Sequence, residues 1–326
     1  MAEFHILSII IVNWNSASFT KACLNKLYHE APSIPVEIIV IDNASCDGCA
    51  EMISSDFPTV LFIQSKQNLG FSAANNLAFE RSTGDVVLFL NPDTEVFEGA
   101  LEKMIEVVLK NSDAGIVGAR LLNTDRTVQT SCIQKFPSIT GIVLDCNLLR
   151  HWLPRWSLWG MWPLFAKRLA PTEVDIISGA CQMMRREVFE RAGMYSTAYF
   201  MYAEDADLCF KINRMGFRNL YVPEAVVMHH GGQSGNAIPV SGWSAIQMRE
   251  SLKCFFEQHR GRQYAQLFQA AVVLQAALRV IVISSVILAT RILGREEKLS
   301  LVKEKWKSIL RWSLGLERWI NSPDTN

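Results

Sequence analysis

Short, uninterrupted apolar runs alternate with amphipathic stretches along the first third of the chain. Ile6–Val12, Val36–Ile41, Val60–Ile63, Val86–Leu90 and Gly115–Ala119 are continuous and rich in Val and Ile, the pattern of strands buried on both faces. Ala17–His29, Phe71–Arg81 and Phe97–Leu109 place their apolar residues at helical spacing instead. This alternation predicts a parallel α/β sheet with helices on both faces. Ligands bind such sheets beyond the carboxyl ends of the strands.

Between residues 122 and 173 the pattern breaks down. Trp152, Trp156, Trp159 and Trp162 stand near helical spacing, but Pro154, Gly160 and Pro163 interrupt them. The stretch reads either as a lid or insertion over a core edge, or as an aromatic surface for a membrane interface or a lipid-linked acceptor. Regular patterning resumes at Val174–Ile177 and Gly179–Arg186. A helix over Glu204–Met215 follows, closed by Gly216, then strands near Arg218–Val222 and Ala225–Met228.

The tail differs again. Leu267–Ala289 holds no acid and one base, Arg279, and is long enough to span a bilayer. A mid-helix Arg costs about 2.5–3.5 kcal/mol even on the lenient insertion scale. With Gln269, Gln275, Ser284 and Ser285 also present, an interface-lying helix is as good a reading as a spanning one. Gln275 and Arg279 share one helical face. Lys303–Trp319 sets Lys303, Lys305, Lys307 and Arg311 among Trp306, Ile309, Leu310 and Trp312, the pattern of an in-plane basic amphipathic helix. The alternative is a helical hairpin packed on its own domain or in a dimer. The division expected is an α/β domain over 1–240 and a membrane-associated helical region over 241–326.

Composition narrows the choice. The 326 residues suffice for one large domain with an appendage. Lys+Arg and Asp+Glu both number 32, so no global field favours nucleic acid. An anionic substrate must then be held locally, by a metal or by backbone amides. Of eight cysteines only Cys46 and Cys49 lie close together, which fits a reducing cytoplasm and neither a disulfide framework nor a zinc site. The N-terminus lacks a basic region ahead of its strand-length apolar run, so no signal peptide is expected there.

The strand ends carry the candidate chemistry. They read Asn13-Trp14-Asn15-Ser16, Asp42-Asn43-Ala44-Ser45, Asn68-Leu69-Gly70-Phe71 with Asn75 and Asn76 following, and Asn91-Pro92-Asp93-Thr94-Glu95. Each alone suits a turn or helix cap; four in succession on one rim point to a binding site. Asp93 and Glu95 can share a hard divalent cation, Mn²⁺ or Mg²⁺, whose remaining ligands are phosphate oxygens. His229, ending an apolar strand beside His230, Gly231 and Gly232, is a candidate nitrogen ligand. In Glu204-Asp205-Ala206-Asp207 the acids complement a helix start, or one of them serves as a general base. Asp42 stands where an acid accepts hydrogen bonds from a ribose or base. Neither GxGxxG nor GxxxxGK[ST] occurs.

Taken in order over residues 6–235, these stretches, with Ile177-Ser178-Gly179-Ala180-Cys181 and His229-His230-Gly231-Gly232-Gln233-Ser234, resemble the family 2 inverting glycosyltransferases, particularly the bacterial rhamnosyltransferase-like branch. The resemblance implies a GT-A fold, a Rossmann-like, mostly parallel sheet flanked by helices, here with a C-terminal hydrophobic helical extension. It implies Asp205 as catalytic base and Asp93, Glu95 and His229 as metal ligands, with His230 as a substitute and Asn91 replacing the usual first acid. Asn13, Asn15, Asp42, Asn43, Asn68, Gly70, Asn75, Asn91 and Asp93 fall on the donor side, and Gly179, Glu204 and Asp207 on the acceptor side. The function implied is transfer of a sugar, rhamnose from dTDP-rhamnose first and UDP-hexoses behind it, to a glycan or polyprenyl-linked acceptor at the cytoplasmic face of a membrane. The Trp-rich stretch and the tail share no motif with the family. The rival readings are a sugar nucleotidyltransferase, which would want a glycine-rich basic loop after the first strand, and a catalytically silent scaffold of a polysaccharide assembly.

Overall fold

A computed structural model describes residues 6–144, 152–153, 155–167, 169–231, 242–290 and 296–316. Gly232, Gln233, Ser234, Pro154 and Trp319, which figure in the motifs above, lie outside them. The chain divides into two compact units. One comprises Met1–Phe136, Leu148–Phe200 and Glu204–Asn236; the other comprises Pro137–Asn147, Met201–Ala203 and Ala237–Asn326.

In the first unit the elements run β1 (Leu7–Asn13), α1 (Ala17–His29), β2 (Val36–Asp42), α2 (Cys49–Asp56), β3 (Leu61–Gln64), α3 (Gly70–Phe79), β4 (Val86–Leu90), β5 (Thr94–Val96), α4 (Ala100–Lys110), β6 (Ala114–Leu122) and β7 (Ile133–Gln134). The second unit's α5 (Ile139–Leu144) intervenes. Then come β8 (Thr172–Val174), β9 (Ile176–Ile177), β10 (Cys181–Arg185), α6 (Arg186–Arg191), α7 (Glu204–Arg214) and β11 (Arg218–His229). The main sheet has the order β3-β2-β1-β4-β10-β6-β11-β5, with β8 on β11. β3, β2, β1 and β4 are parallel neighbours, as the continuous Val/Ile runs predict. Leu7, Ile9, Ile10, Ile11, Ile39, Val40, Ile41 and Val87–Phe89 are all buried there.

Three features depart from the sequence expectation. β10 enters antiparallel between β4 and β6, a direction that periodicity does not encode. The two strands expected around Pro223 are one strand, β11, whose register against β6 shifts between Val222 and Val226. A bulge is where a strand tolerates a residue without an N–H. Helix α2, which the patterning above does not predict, opens at Cys49 after Gly48 at φ +79. That short helix buries only Cys49 and Ile53, too few positions for a periodicity to show.

In the second unit α8 (Gly242–Arg260), α9 (Arg262–Thr290) and α10 (Glu296–Ser313) come after α5 in the chain. Gly261, at φ +88, turns α8 into α9. Phe255, Phe256, Phe268, Val272 and Ile309 form the core. Gln269, Gln275 and Arg279 of α9 face this bundle. Gln275 is buried and donates to the carbonyls of Ile142 (3.1 Å) and Val143 (2.8 Å), and Gln269 donates to that of Ser313 (3.0 Å). The Arg279 guanidinium lies 4.3 Å from the Trp306 ring centre. The opposite face exposes Leu267, Leu274, Leu278, Ile281 and Leu288. α9 is long and apolar enough to cross a membrane.

Candidate active site

The rim is built by register. In the parallel ladder Asn13 stands opposite Asp42, and Asp42 opposite Gln64. The side chains bond along that row: Asn13 Nδ2 donates to Asp42 Oδ1 (2.6 Å), and Gln64 Nε2 and the Ser45 N–H donate to Asp42 Oδ2 (2.6 and 2.9 Å). Burial of Asp42 would raise its pKa, but the bonds from Asn13, Ser45 and Gln64 outweigh that and hold the carboxyl below its usual range. Ser16 and Thr20 hydroxyls donate to Asn13 Oδ1. Asp47 accepts from Asn13 Nδ2 and from the Ala17 N–H at the start of α1 (3.3 and 2.8 Å). Asn15 is exposed, at φ +49, with its N–H on Ser45 Oγ.

One strand along, Asn43 Nδ2 donates to Asn68 Oδ1 (2.8 Å) and to the Gly70 carbonyl (3.2 Å), while its Oδ1 accepts the Leu69 N–H. Gly70 has φ +75, and a Cβ there would meet the Phe200 carbonyl oxygen at 2.5 Å. Only glycine lets α3 begin there. Asn75 is buried and bonded back to the Phe71 carbonyl. Asn76 clamps Tyr195, donating to its carbonyl (2.8 Å) and accepting its N–H (3.1 Å).

The loop 91–93 sits between β4 and β5, which opens at Thr94. Thr94 Oγ1 donates to the Asn91 carbonyl, and the His230 N–H donates to that of Asp93 (2.9 Å), so β11 is pinned to the loop. Four side chains then form two pairs. His229 Nε2 lies 3.3 Å from Asp93 Oδ1, and His230 Nε2 lies 2.8 Å from Glu95 Oε1. Among the described residues no three His, Cys, Asp or Glu side chains converge at ligating distance. Glu95, expected with Asp93 and His229, is thus turned to His230. Asp93 is 2% exposed, and its Oδ1 has no hydrogen-bond partner of proper geometry despite the nearby imidazole. His229 Nδ1 lies 2.8 Å from Gln129 Oε1, and Asn91 Nδ2 lies 3.3 Å from His229 Nε2.

This arrangement fits a cation. A buried carboxylate oxygen without a donor costs several kcal/mol. It faces a ring nitrogen 3.3 Å away, close enough for both atoms to ligate one small cation. A carboxylate oxygen with an imidazole nitrogen leans to Mn²⁺ over Mg²⁺, which prefers oxygen ligands alone.

On the far side of β10, Asp205 Oδ2 accepts the Gly179 N–H (3.1 Å) and Oδ1 accepts the Ala206 N–H (2.7 Å). The next residue, Ala180, accepts the Asn91 N–H (3.0 Å), which ties the two halves of the rim together. Burial raises the pKa of Asp205, against the opposing bonds from Gly179 and Ala206. Glu204 is buried with Oε2 unpartnered, and burial, then the neighbouring Asp205, pushes it up to about 8. Asp207 is turned inward: it lies 3.1 Å from Lys211 Nζ and accepts from the Tyr199 hydroxyl (3.3 Å). Its carboxylate therefore anchors α7. Tyr202 and Ala203, directly ahead of α7, hold φ of +70 and +63, strained values for non-glycine residues. Cys49 is no reactive thiol, since burial and the nearby acids push it up to about 12.

Residues 8–193 match glycosyl transferase family 2. The chain belongs to that family. It is 29% identical over 255 residues to the N-acetylglucosaminyl-diphospho-decaprenol L-rhamnosyltransferase of Mycobacterium tuberculosis, covering 74% of this chain and 81% of that one. To the rhamnosyltransferase WbbL of Escherichia coli K12 it is 26% identical over 231 residues, covering 68% and 82%. In structure it is similar to the mannosyltransferase PcManGT from Pyrobaculum calidifontis, solved with GDP-Man and Mn²⁺, with a TM-score of 0.57 at 17% identity over 95% of this chain and 86% of that one. The fold of this family 2 glycosyltransferase is therefore GT-A, mixed α/β about a largely parallel sheet. Gln64, Asp47 and Gln129, which bond to Asp42, Asn13 and His229, are residues that strand-end reasoning passed over.

Proposed function

We propose that the chain is an inverting glycosyltransferase that moves a sugar, rhamnose from dTDP-rhamnose as the first choice, onto a glycan or polyprenyl-linked acceptor. The observation that carries the reading is the unpartnered Asp93 Oδ1 facing His229 Nε2 inside a family 2 domain. Asp93 and His229 would hold a divalent cation, with Glu95 kept nearby by His230. When bound, the cation supplies positive charge against the diphosphate of the donor. Asn13, Asp42 and Asn43 present a preorganised, hydrogen-bonded wall to the nucleoside side.

Asp205 then acts alone on the acceptor. Its Oδ2 is aimed by the Gly179 N–H, and its raised pKa suits it to accept a proton from a hydroxyl. The hydroxyl oxygen, losing that proton to Asp205, attacks the anomeric carbon. The bond to the nucleoside diphosphate breaks on the opposite face, and the configuration inverts. Glu204, neutral beside it, keeps a second charge out of the site. Residues 1–240 carry this chemistry, and 241–326 rest at the cytoplasmic face of a membrane. There the outward apolar face of α9 meets lipid while Gln275 and Arg279 stay on their own bundle.

The test is Asp205→Asn. It should keep donor binding, measured by calorimetry with dTDP-rhamnose, and lose transfer by at least about a hundredfold. Full turnover in that variant removes Asp205 from the mechanism.

A further inference from the structure

The hairpin after β6 carries a chain of hydrogen bonds whose direction is fixed from one end. Asp125 is an ionised carboxylate, held below its usual range by the hydroxyl and N–H of Thr127, and it can only accept. The Thr127 hydroxyl must therefore donate to it (2.6 Å). Thr127 Oγ1 is then left as the acceptor for Asn123 Nδ2 (2.9 Å). That turns Asn123 Oδ1 towards Gln129 Nε2 (3.2 Å). It leaves Gln129 Oε1 facing His229 Nδ1 at 2.8 Å, where an oxygen acceptor requires the proton on Nδ1. The backbone closes the same loop: the Gln129 N–H donates to the Leu121 carbonyl (2.9 Å), Asn123 and Thr127 bond across the turn (2.8 Å), and Arg126 sits at φ +65. On the other side of the ring, the Asn91 amide nitrogen 3.3 Å from Nε2 is a donor facing a lone pair, which requires the same tautomer.

We infer that Gln129 is a positioning residue which, locked by this hairpin, holds His229 in its Nδ1–H form so that an unprotonated Nε2 faces Asp93 as a ligand for a divalent cation. The inference rests on the cation site proposed above. It also explains why Asp93 Oδ1 stays unpartnered beside an imidazole: the nitrogen it faces carries no proton to give. Partners of this kind set ligand basicity and orientation, and their loss weakens metal binding about 10–100-fold.

The experiment uses the full chain and Mn²⁺ alone, monitored by loss of the free-ion EPR signal. Gln129→Leu should weaken Mn²⁺ binding about 10–100-fold with an unchanged Tm. Gln129→Glu, whose carboxylate can only accept, should restore it, and Thr127→Val should weaken it by breaking the chain at a distance. In the metal-free protein at pH 8, histidine ¹⁵N NMR should report His229 protonated on Nδ1, shifting to a mixture in Gln129→Leu. If Mn²⁺ binding requires Asp93 yet is equal in wild type and Gln129→Leu, the role of Gln129 falls and the cation site stands. If Mn²⁺ does not bind, or binds equally to Asp93→Ala, both fall together. A His229 protonated on Nε2 overturns the hydrogen-bond chain whatever the metal does.

Discussion

Replacing Glu204 with Gln should stabilise this protein at alkaline pH, although it deletes an acid from the acidic first turn of α7. Glu204 is buried, its Oε2 has no partner, and burial and the Asp205 charge raise it from 4.5 to about 8. The folded state therefore binds this proton more tightly than the unfolded chain does, and raising the pH from 4.5 towards 8 favours unfolding. Gln resembles the protonated acid in shape and has no proton to lose. At about 1.4 kcal/mol for each tenfold change in proton affinity, the penalty removed has a ceiling near 5 kcal/mol. Relaxation of the site and coupling to Asp205 lower that figure; even a third of it should move Tm by about 3–6 °C in a domain of this size. Thermal melts of both proteins at pH 5 and pH 8.5 make the comparison. The variant should match wild type at pH 5 and exceed it at pH 8.5. A gap that is the same at both pH values would show Glu204 ionised throughout and refute the desolvation argument.

Two further outcomes rest on the packing. Asn76→Ala strands both the N–H and the carbonyl of buried Tyr195, at about 1–3 kcal/mol each, so Tm should fall by roughly 5–15 °C; a drop under about 2 °C would mean that other groups satisfy that backbone. Leu274→Glu with Leu278→Glu, at sites 73% and 62% exposed, should leave Tm unchanged and weaken co-sedimentation with anionic phospholipid vesicles more than tenfold, whereas unaltered vesicle binding would exclude α9 as the lipid-facing element.

Much of this site is legible in the sequence because parallel strands repeat one grammar. A buried apolar run ends at the rim, where the next residues must be polar, so Asn13, Asp42, Asn43 and Asn91 stand out by position alone. Their partners do not. Gln64 is set by register, the pairing of Asp42 with β3, and a single strand does not display its neighbour. Gln129 reaches His229 only because a tight hairpin turns the chain back beside β6. The spacing of Asp93 and Glu95 suggests a shared face, but Asp93 lies in the turn ahead of β5, where strand alternation does not hold, and the two acids meet different histidines. Asp207 looks equivalent to its neighbours at a helix start. Helical geometry sends it inward, four residues from Lys211, which also explains why α7 tolerates three acids in its first turn.

The cation proposed between Asp93 and His229 is the point on which the functional account turns. Acceptor-dependent release of dTDP from dTDP-rhamnose by the full chain, measured with Mn²⁺, after EDTA, and again after Mn²⁺ is restored, tests it most directly. The account predicts release that EDTA abolishes and Mn²⁺ recovers, with Asp93→Ala inactive in all three. Release that persists undiminished in EDTA would contradict it.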